Sequence, residues 1–147
     1  LCCNAATHYD LGNPDSDDPI ERCSSRPDGF IPCYAVVSMI SYTHKGSVQN
    51  LLGDEQNKDS ELRYFSGELN VTDDTPTAFI WHTAADGSVP VENSLALAKA
   101  LSDHRVPFEL HVFPKGAHGL GLAEGNPSVR QWAKLLQNWL VLGGYAQ

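Results

Sequence analysis

The chain has 147 residues, 41% of them hydrophobic, and a net charge of -8, which suits one modest globular domain and no more. The acidic balance excludes a nucleic-acid backbone or an anionic membrane surface as partner, because no basic patch exists to release counterions. No apolar run reaches the length of a membrane span, and Leu1-Cys2-Cys3 has no basic stretch before it that would make a signal peptide.

Residues 1–7 are small and apolar and read as the tail of a helix already under way, with no N-cap or first turn in front. The chain does not begin with Met, so residues upstream are expected. Tyr9 to Arg26 is polar, with Asn13-Pro14 and the acidic Asp15, Asp17 and Asp18, and is predicted as a surface connection. The first strand is expected at Cys33–Ser38. It is apolar on both faces, as in a parallel sheet covered by helices, and it starts after Pro32, which cannot donate to a ladder. Residues 41–74 form an irregular insertion with short helices predicted at Val48–Leu52 and Glu61–Phe65. Asp73-Asp74-Thr75-Pro76 is a turn that launches the next strand.

That strand, Thr77–Thr83, carries three large apolar residues in a row and breaks into a turn that presents Asp86. A helix over Glu92–His104 follows, with Leu95, Ala98 and Leu101 at helical spacing and Leu97 beside them. A strand over Phe108–Phe113 leads to a second turn, Pro114-Lys-Gly-Ala-His118-Gly119. Asn126-Pro127 reads as an N-cap and first helical position. The last helix, 127–142, aligns Val129, Trp132, Ala133, Leu136, Trp139 and Leu140 in one stripe.

Four cysteines (2, 3, 23 and 33) include no C-x-x-C pair, so free thiols in a reducing compartment are expected, with a cytoplasmic location favoured. Six histidines show no metal-binding spacing, so neither a metal nor a cofactor is expected.

The alternation of strand and helix implies an α/β fold with a parallel sheet and flanking helices. In a strand–helix–strand unit the two strands are parallel and usually adjacent. Asp86 and His118 each lie just past the C-terminal end of their strand, at the edge where open α/β sheets bind ligands. The two turns are therefore expected to meet. A carboxylate beside an imidazole fixes its tautomer, stabilises the imidazolium and frees the other ring nitrogen to take a proton from a nucleophile.

The stretches WHTAADGSVPVENSLALAKAL and VPFELHVFPKGAHGLGLA closely resemble the C-terminal half of α/β-hydrolase-fold esterases of the dienelactone-hydrolase and prolyl-oligopeptidase-like group. Within that group the match is best to bacterial acetyl xylan esterase-like carbohydrate esterases. RPDGFIPCYAVVSMIS and HKGSVQNLLGD extend the similarity over most of residues 5–142. The resemblance implies that residues 1–147 are the C-terminal portion of an α/β-hydrolase domain. It implies a serine-type ester hydrolase acting on a small-molecule or carbohydrate ester, with Asp86 and His118 as two members of a Ser-Asp-His triad in that chain order.

The nucleophile has no counterpart here. No G-x-S-x-G elbow occurs in the chain, and Ser38, Ser41, Ser47 and Ser88 lack its strand-turn-helix setting. The glycine-rich oxyanion loop is also absent. Ala85 stands where relatives commonly carry a second acid, and Pro32 falls in what the family uses as an interior strand. Trp81, His82 and residues 41–74 are candidates to shape the substrate pocket, although Trp81 fits core packing better. Two other functions compete: a non-catalytic, truncated or pseudo-hydrolase chain that associates through its exposed sheet edge, and a prolyl-oligopeptidase-like peptidase sharing the same two turns.

Overall fold

Thr77–Thr83 (β2) is the strand around which the rest packs. In the computed structural model, which describes residues 1–146, it lies between Gly29–Phe30 (β1) and Phe108–Phe113 (β3) in a parallel sheet of order β1-β2-β3. The period-2 alternation of a strand divides its side chains between two cores. Ala78 and Ile80 face one, with Leu97, Ala98 and Leu101 of helix Glu92–Asp103 (α4) and with Cys3 and Ala6 of helix Cys2–Thr7 (α1). Phe79 and Trp81 face the other, with Val129, Trp132 and Trp139. Both faces of β2 are therefore covered, which is why its apolar run is continuous rather than alternating.

The last helix, Trp132–Leu142 (α5), supplies the second cover. Its start differs from expectation. Residues Val129–Gln131 form one tight 3-10 turn before the α-helix begins. Asn126 nonetheless caps it, its Oδ1 accepting from the N–H groups of Ser128 (3.2 Å) and Val129 (3.1 Å). In α4 the buried stripe runs through Ser94, Leu97, Ala98 and Leu101, while Leu95 is exposed. The expectation that Leu95 belonged to that stripe is corrected. The helix is rotated so that Ser94 faces the sheet, where it binds His82.

The expected strand at Cys33–Ser38 is also corrected. Pairing begins four residues earlier, with Gly29 opposite Thr77 and Phe30 opposite Ala78, and Cys33 meets Trp81 as a lone bridge in the same register. Pro32 interrupts the ladder because it has no N–H to give. Beyond Cys33 the chain leaves the sheet: Tyr34 donates its N–H to Trp81 O (2.8 Å) and turns at φ 38°. Val37 is buried, yet its N–H and that of Ser38 go to the side-chain Oδ1 of Asn93, at 2.9 and 3.0 Å. The same Asn93 amide donates to Tyr42 O (2.7 Å) and Pro90 O (3.0 Å). An apolar run thus reads as a strand while its backbone donors are taken by one buried side chain.

The insertion holds helices Lys45–Leu52 (α2) and Asp59–Tyr64 (α3), close to the predicted pair. All four cysteines are free; Cys3 is buried and Cys23 exposed. Burial pushes the Cys3 thiol up to about 12, so it is an inert packing group. Among the described residues no helix is long and apolar enough to cross a membrane.

Candidate active site

The β2–α4 turn puts Asp86 at the C-terminal edge of the sheet. Its Oδ1 accepts the backbone N–H groups of Ser88 (2.9 Å) and Val89 (3.0 Å), which fixes the carboxylate plane. Only 1% of the side chain is exposed. Burial acts to raise its pKa, but the N–H of Val89, the imidazole of His118 and the N–H of Ser88 together outweigh that and hold the carboxyl below the ordinary 3.8. Asp86 is therefore an anion at neutral pH. The stability it contributes is complete above the ordinary value and is lost as pH falls through the lowered one.

The remaining oxygen, Oδ2, accepts from His118 Nδ1 at 2.8 Å. The turn that carries His118 is tied to the same sheet edge. Ala84 N–H donates to Phe113 O (2.8 Å), and Thr83 Oγ1 donates to Gly116 O (2.8 Å). A Cβ at Gly116 would sit 2.8 Å from Thr83 Cγ2 and 2.7 Å from Leu120 Cδ1, so a larger residue there must displace those side chains. Asn126 Nδ2 donates to Lys115 O (3.2 Å) and Trp132 Nε1 to Gly121 O (3.0 Å), which anchors the turn on α5. The His118 side chain remains 35% exposed, and among the described residues its Nε2 makes no hydrogen bond. A carboxylate-oriented imidazole with a free, accessible Nε2 is suited to proton transfer.

A second histidine sits behind the pair. The expectation that His82 shapes a substrate pocket is corrected, since it is wholly buried. Its Nε2–H donates to Val89 O at 3.0 Å, and its Nδ1 accepts from Ser94 Oγ at 2.7 Å. This fixes the Nε2–H tautomer, and Nε2 lies 3.5 Å from Asp86 Oδ2. The β2 alternation carries the signal for this placement, because Ala78, Ile80 and His82 share the α4 face. Burial pushes the His82 pKa below the ordinary 6.5, outweighing the Val89 carbonyl and the Asp86 charge. The folded protein thus holds His82 neutral, so its stabilising contribution is complete above 6.5 and is lost as pH falls through the lowered value. Between pH 7 and 5 the Tm of the wild type is expected to fall more steeply than that of His82→Gln. Parallel Tm–pH curves would remove His82 from the acid sensitivity.

Trp81 is fully buried in the second core and does not line the site. Tyr34, which sequence reading did not single out, packs edge-on to the His118 ring at 5.0 Å between centroids. Of the serines set aside on sequence grounds, Ser38 Oγ accepts the N–H groups of Ile40 and Ser41, and Ser88 meets Asp86 through its backbone N–H. Among the described residues no cluster of three or more His, Cys, Asp or Glu is placed to hold a metal ion. A surface cleft of about 660 Å³, lined by Asp10, Ile20 and Ser25 among others, includes neither Asp86 nor His118.

Comparison with known proteins places the chain in a family. The family model described as "Prolyl oligopeptidase family" matches residues 29–142, a span that contains both turns. The chain belongs to the prolyl oligopeptidase family. Among its relatives, endo-1,4-beta-xylanase B of Butyrivibrio fibrisolvens is 46% identical over 123 residues, covering 84% of this chain and 19% of that protein. An acetyl ester-xyloside bifunctional hydrolase from Caldicellulosiruptor lactoaceticus superposes with a TM-score of 0.94 at 46% identity, over 99% of this chain and 53% of that one. A carboxylesterase from Lactobacillus plantarum gives a TM-score of 0.72 at 25% identity, over 99% and 54% of the two chains. The chain thus spans about half the length of these two solved proteins, 53% and 54%, and 19% of the xylanase B relative.

Proposed function

We propose that this chain supplies the acid and the histidine of a serine-type ester hydrolase, with residues 1–147 forming part of an α/β-hydrolase domain whose nucleophilic serine lies outside them. The observation that carries this is the 2.8 Å bond between Asp86 and His118 at matching ends of two adjacent parallel strands. Asp86 orients His118 and stabilises its protonated form. His118 Nε2 takes the serine proton during acyl transfer and returns it to the leaving group. Relatives named as an acetyl ester-xyloside hydrolase and a carboxylesterase support an acyl ester as substrate, with an acetyl group on a carbohydrate favoured. The family's description favours a second reading, cleavage of a prolyl peptide by the same pair. The open edges of the sheet, beyond β1 and β3, are where the proposal places association with the rest of the domain or with a second copy.

The test compares residues 1–147 with a longer protein that includes an upstream serine elbow. The short chain is expected to hydrolyse aryl acetates no faster than free imidazole does. It lacks a serine for a covalent intermediate, and each missing oxyanion donor costs about 2.7–4 kcal/mol. The longer protein is expected to hydrolyse them with turnover. Activity of the short chain that vanishes in His118→Ala would mean a nucleophile within residues 1–147. Cleavage of prolyl aryl amides in place of aryl acetates would select the peptidase reading.

A further inference from the structure

Tyr34 combines two features that ordinary packing does not require. Its backbone sits at φ 38°, a left-handed conformation that a bulky residue adopts only when surroundings enforce it. Its ring, half-buried, touches the site: centroids lie 5.0 Å from His118 at 76° and 4.8 Å from Trp81 at 85°. Trp81 in turn stacks on Trp132 at 4.9 Å and 17°. A continuous row of rings therefore runs from α5 through β2 to His118.

The polar ends of that row hold the loop that follows His118. Tyr34 Oη accepts the Gly121 N–H at 3.3 Å, and Trp132 Nε1 donates to Gly121 O at 3.0 Å. Both backbone groups of one glycine are thus bound by aromatic side chains. Nothing else among the described residues is bonded to the His118 ring except Asp86. One hydrogen bond restrains a partly exposed imidazole at a single atom, and an adjacent ring further restricts its rotation about χ1 and χ2.

We infer that Tyr34 is a positioning residue that holds the His118 imidazole against Asp86, with its strained backbone serving to bring the ring into that place. The inference rests on the reading of His118 as the proton-transfer group, but its test needs only the Asp86–His118 pair. Without Tyr34 the ring leaves Asp86 for part of the time. The proton then redistributes toward Nε2, the tautomer that unconstrained imidazole prefers.

The decisive measurement is nitrogen-15 NMR of the His118 ring in the full chain, at a pH where it is neutral. Wild type is expected to carry the proton on Nδ1. Tyr34→Phe keeps the ring and is expected to keep that tautomer. Tyr34→Gly accepts φ 38° without strain and so keeps the backbone path, yet it is expected to lose the Nδ1–H form as the dominant species. Tyr34→Leu, which fills space without a ring, is expected to lose it as well and provides the answer should the glycine variant fail to fold. In the serine-containing protein the same two variants are expected to lose about tenfold to a hundredfold in kcat with KM nearly unchanged, as for a misplaced catalytic group. An unchanged tautomer in Tyr34→Gly or Tyr34→Leu would overturn the inference while leaving the Asp86–His118 reading intact. Loss of the Nδ1–H form in Tyr34→Phe would overturn it too, by assigning the effect to the hydroxyl. A wild type already protonated on Nε2 would overturn both.

Discussion

His118→Ala in the serine-containing protein is expected to lower kcat for acetyl ester hydrolysis by about 10⁶-fold, and Asp86→Asn by about 10⁴-fold. The two losses differ because the residues act differently. In the proposed mechanism His118 accepts the serine proton, and without it the nucleophile stays a neutral hydroxyl. Without the Asp86 charge the imidazole is still present. However, the amide can rotate its NH₂ toward Nδ1, which then serves as an acceptor, and the ring is driven to the wrong tautomer. Asp86 Oδ1 is occupied by Ser88 and Val89 N–H groups, and Oδ2 alone serves His118. An Asn that keeps its oxygen on those two N–H groups must present nitrogen to the imidazole. The double variant is expected to be no worse than His118→Ala alone, because the pair acts as a unit. Steady-state kinetics on an aryl acetate check all three. Losses that multiply in the double variant would show that the two residues act separately.

Trp81→Ala is expected to be the most damaging change outside the pair, costing about 3–5 kcal/mol. The side chain is fully buried in the central strand, stacked on Trp132 and edge-on to Tyr34 and Phe113. Its removal leaves a cavity between β2 and α5. For a chain of this size the Tm is expected to drop by about 10–15 °C. Among the described residues the buried Trp81 indole N–H has no partner better than the weakly accepting Cys33 sulfur, so part of the cost of burying this residue is uncompensated. Trp81→Phe, which deletes that N–H with modest volume, is therefore expected to cost much less than Trp81→Ala. Urea unfolding checks the ranking, and a Trp81→Ala midpoint close to wild type would contradict it.

The elements that build the site were legible in the sequence because each rests on a local rule. The β2 run is apolar on both faces because both faces are covered, and Asn126 caps the start of the last helix as its type and position suggest. The Asp86–His118 meeting followed from connectivity alone, since adjacent parallel strands must expose matching ends. What stayed hidden depends on long-range partners. The run Cys33–Ser38 is as apolar as a strand, but Asn93, more than fifty residues away in sequence, takes its backbone donors. Leu95 looked like part of a helical stripe until the Ser94–His82 bond set the rotation of α4. Tyr34 gave no signal at all, because a positive φ on a tyrosine follows from its surroundings and not from its type.

The rate at which a fluorophosphonate labels the serine-containing protein measures the proposed activation of the serine by Asp86 and His118 most directly. The reaction reports nucleophile activation without any assumption about the natural ester. Rapid, stoichiometric labelling of one serine is expected in wild type, much slower labelling in Asp86→Asn, and none above background in His118→Ala. Labelling of His118→Ala at the wild-type rate would contradict the claim that Asp86 and His118 activate the serine.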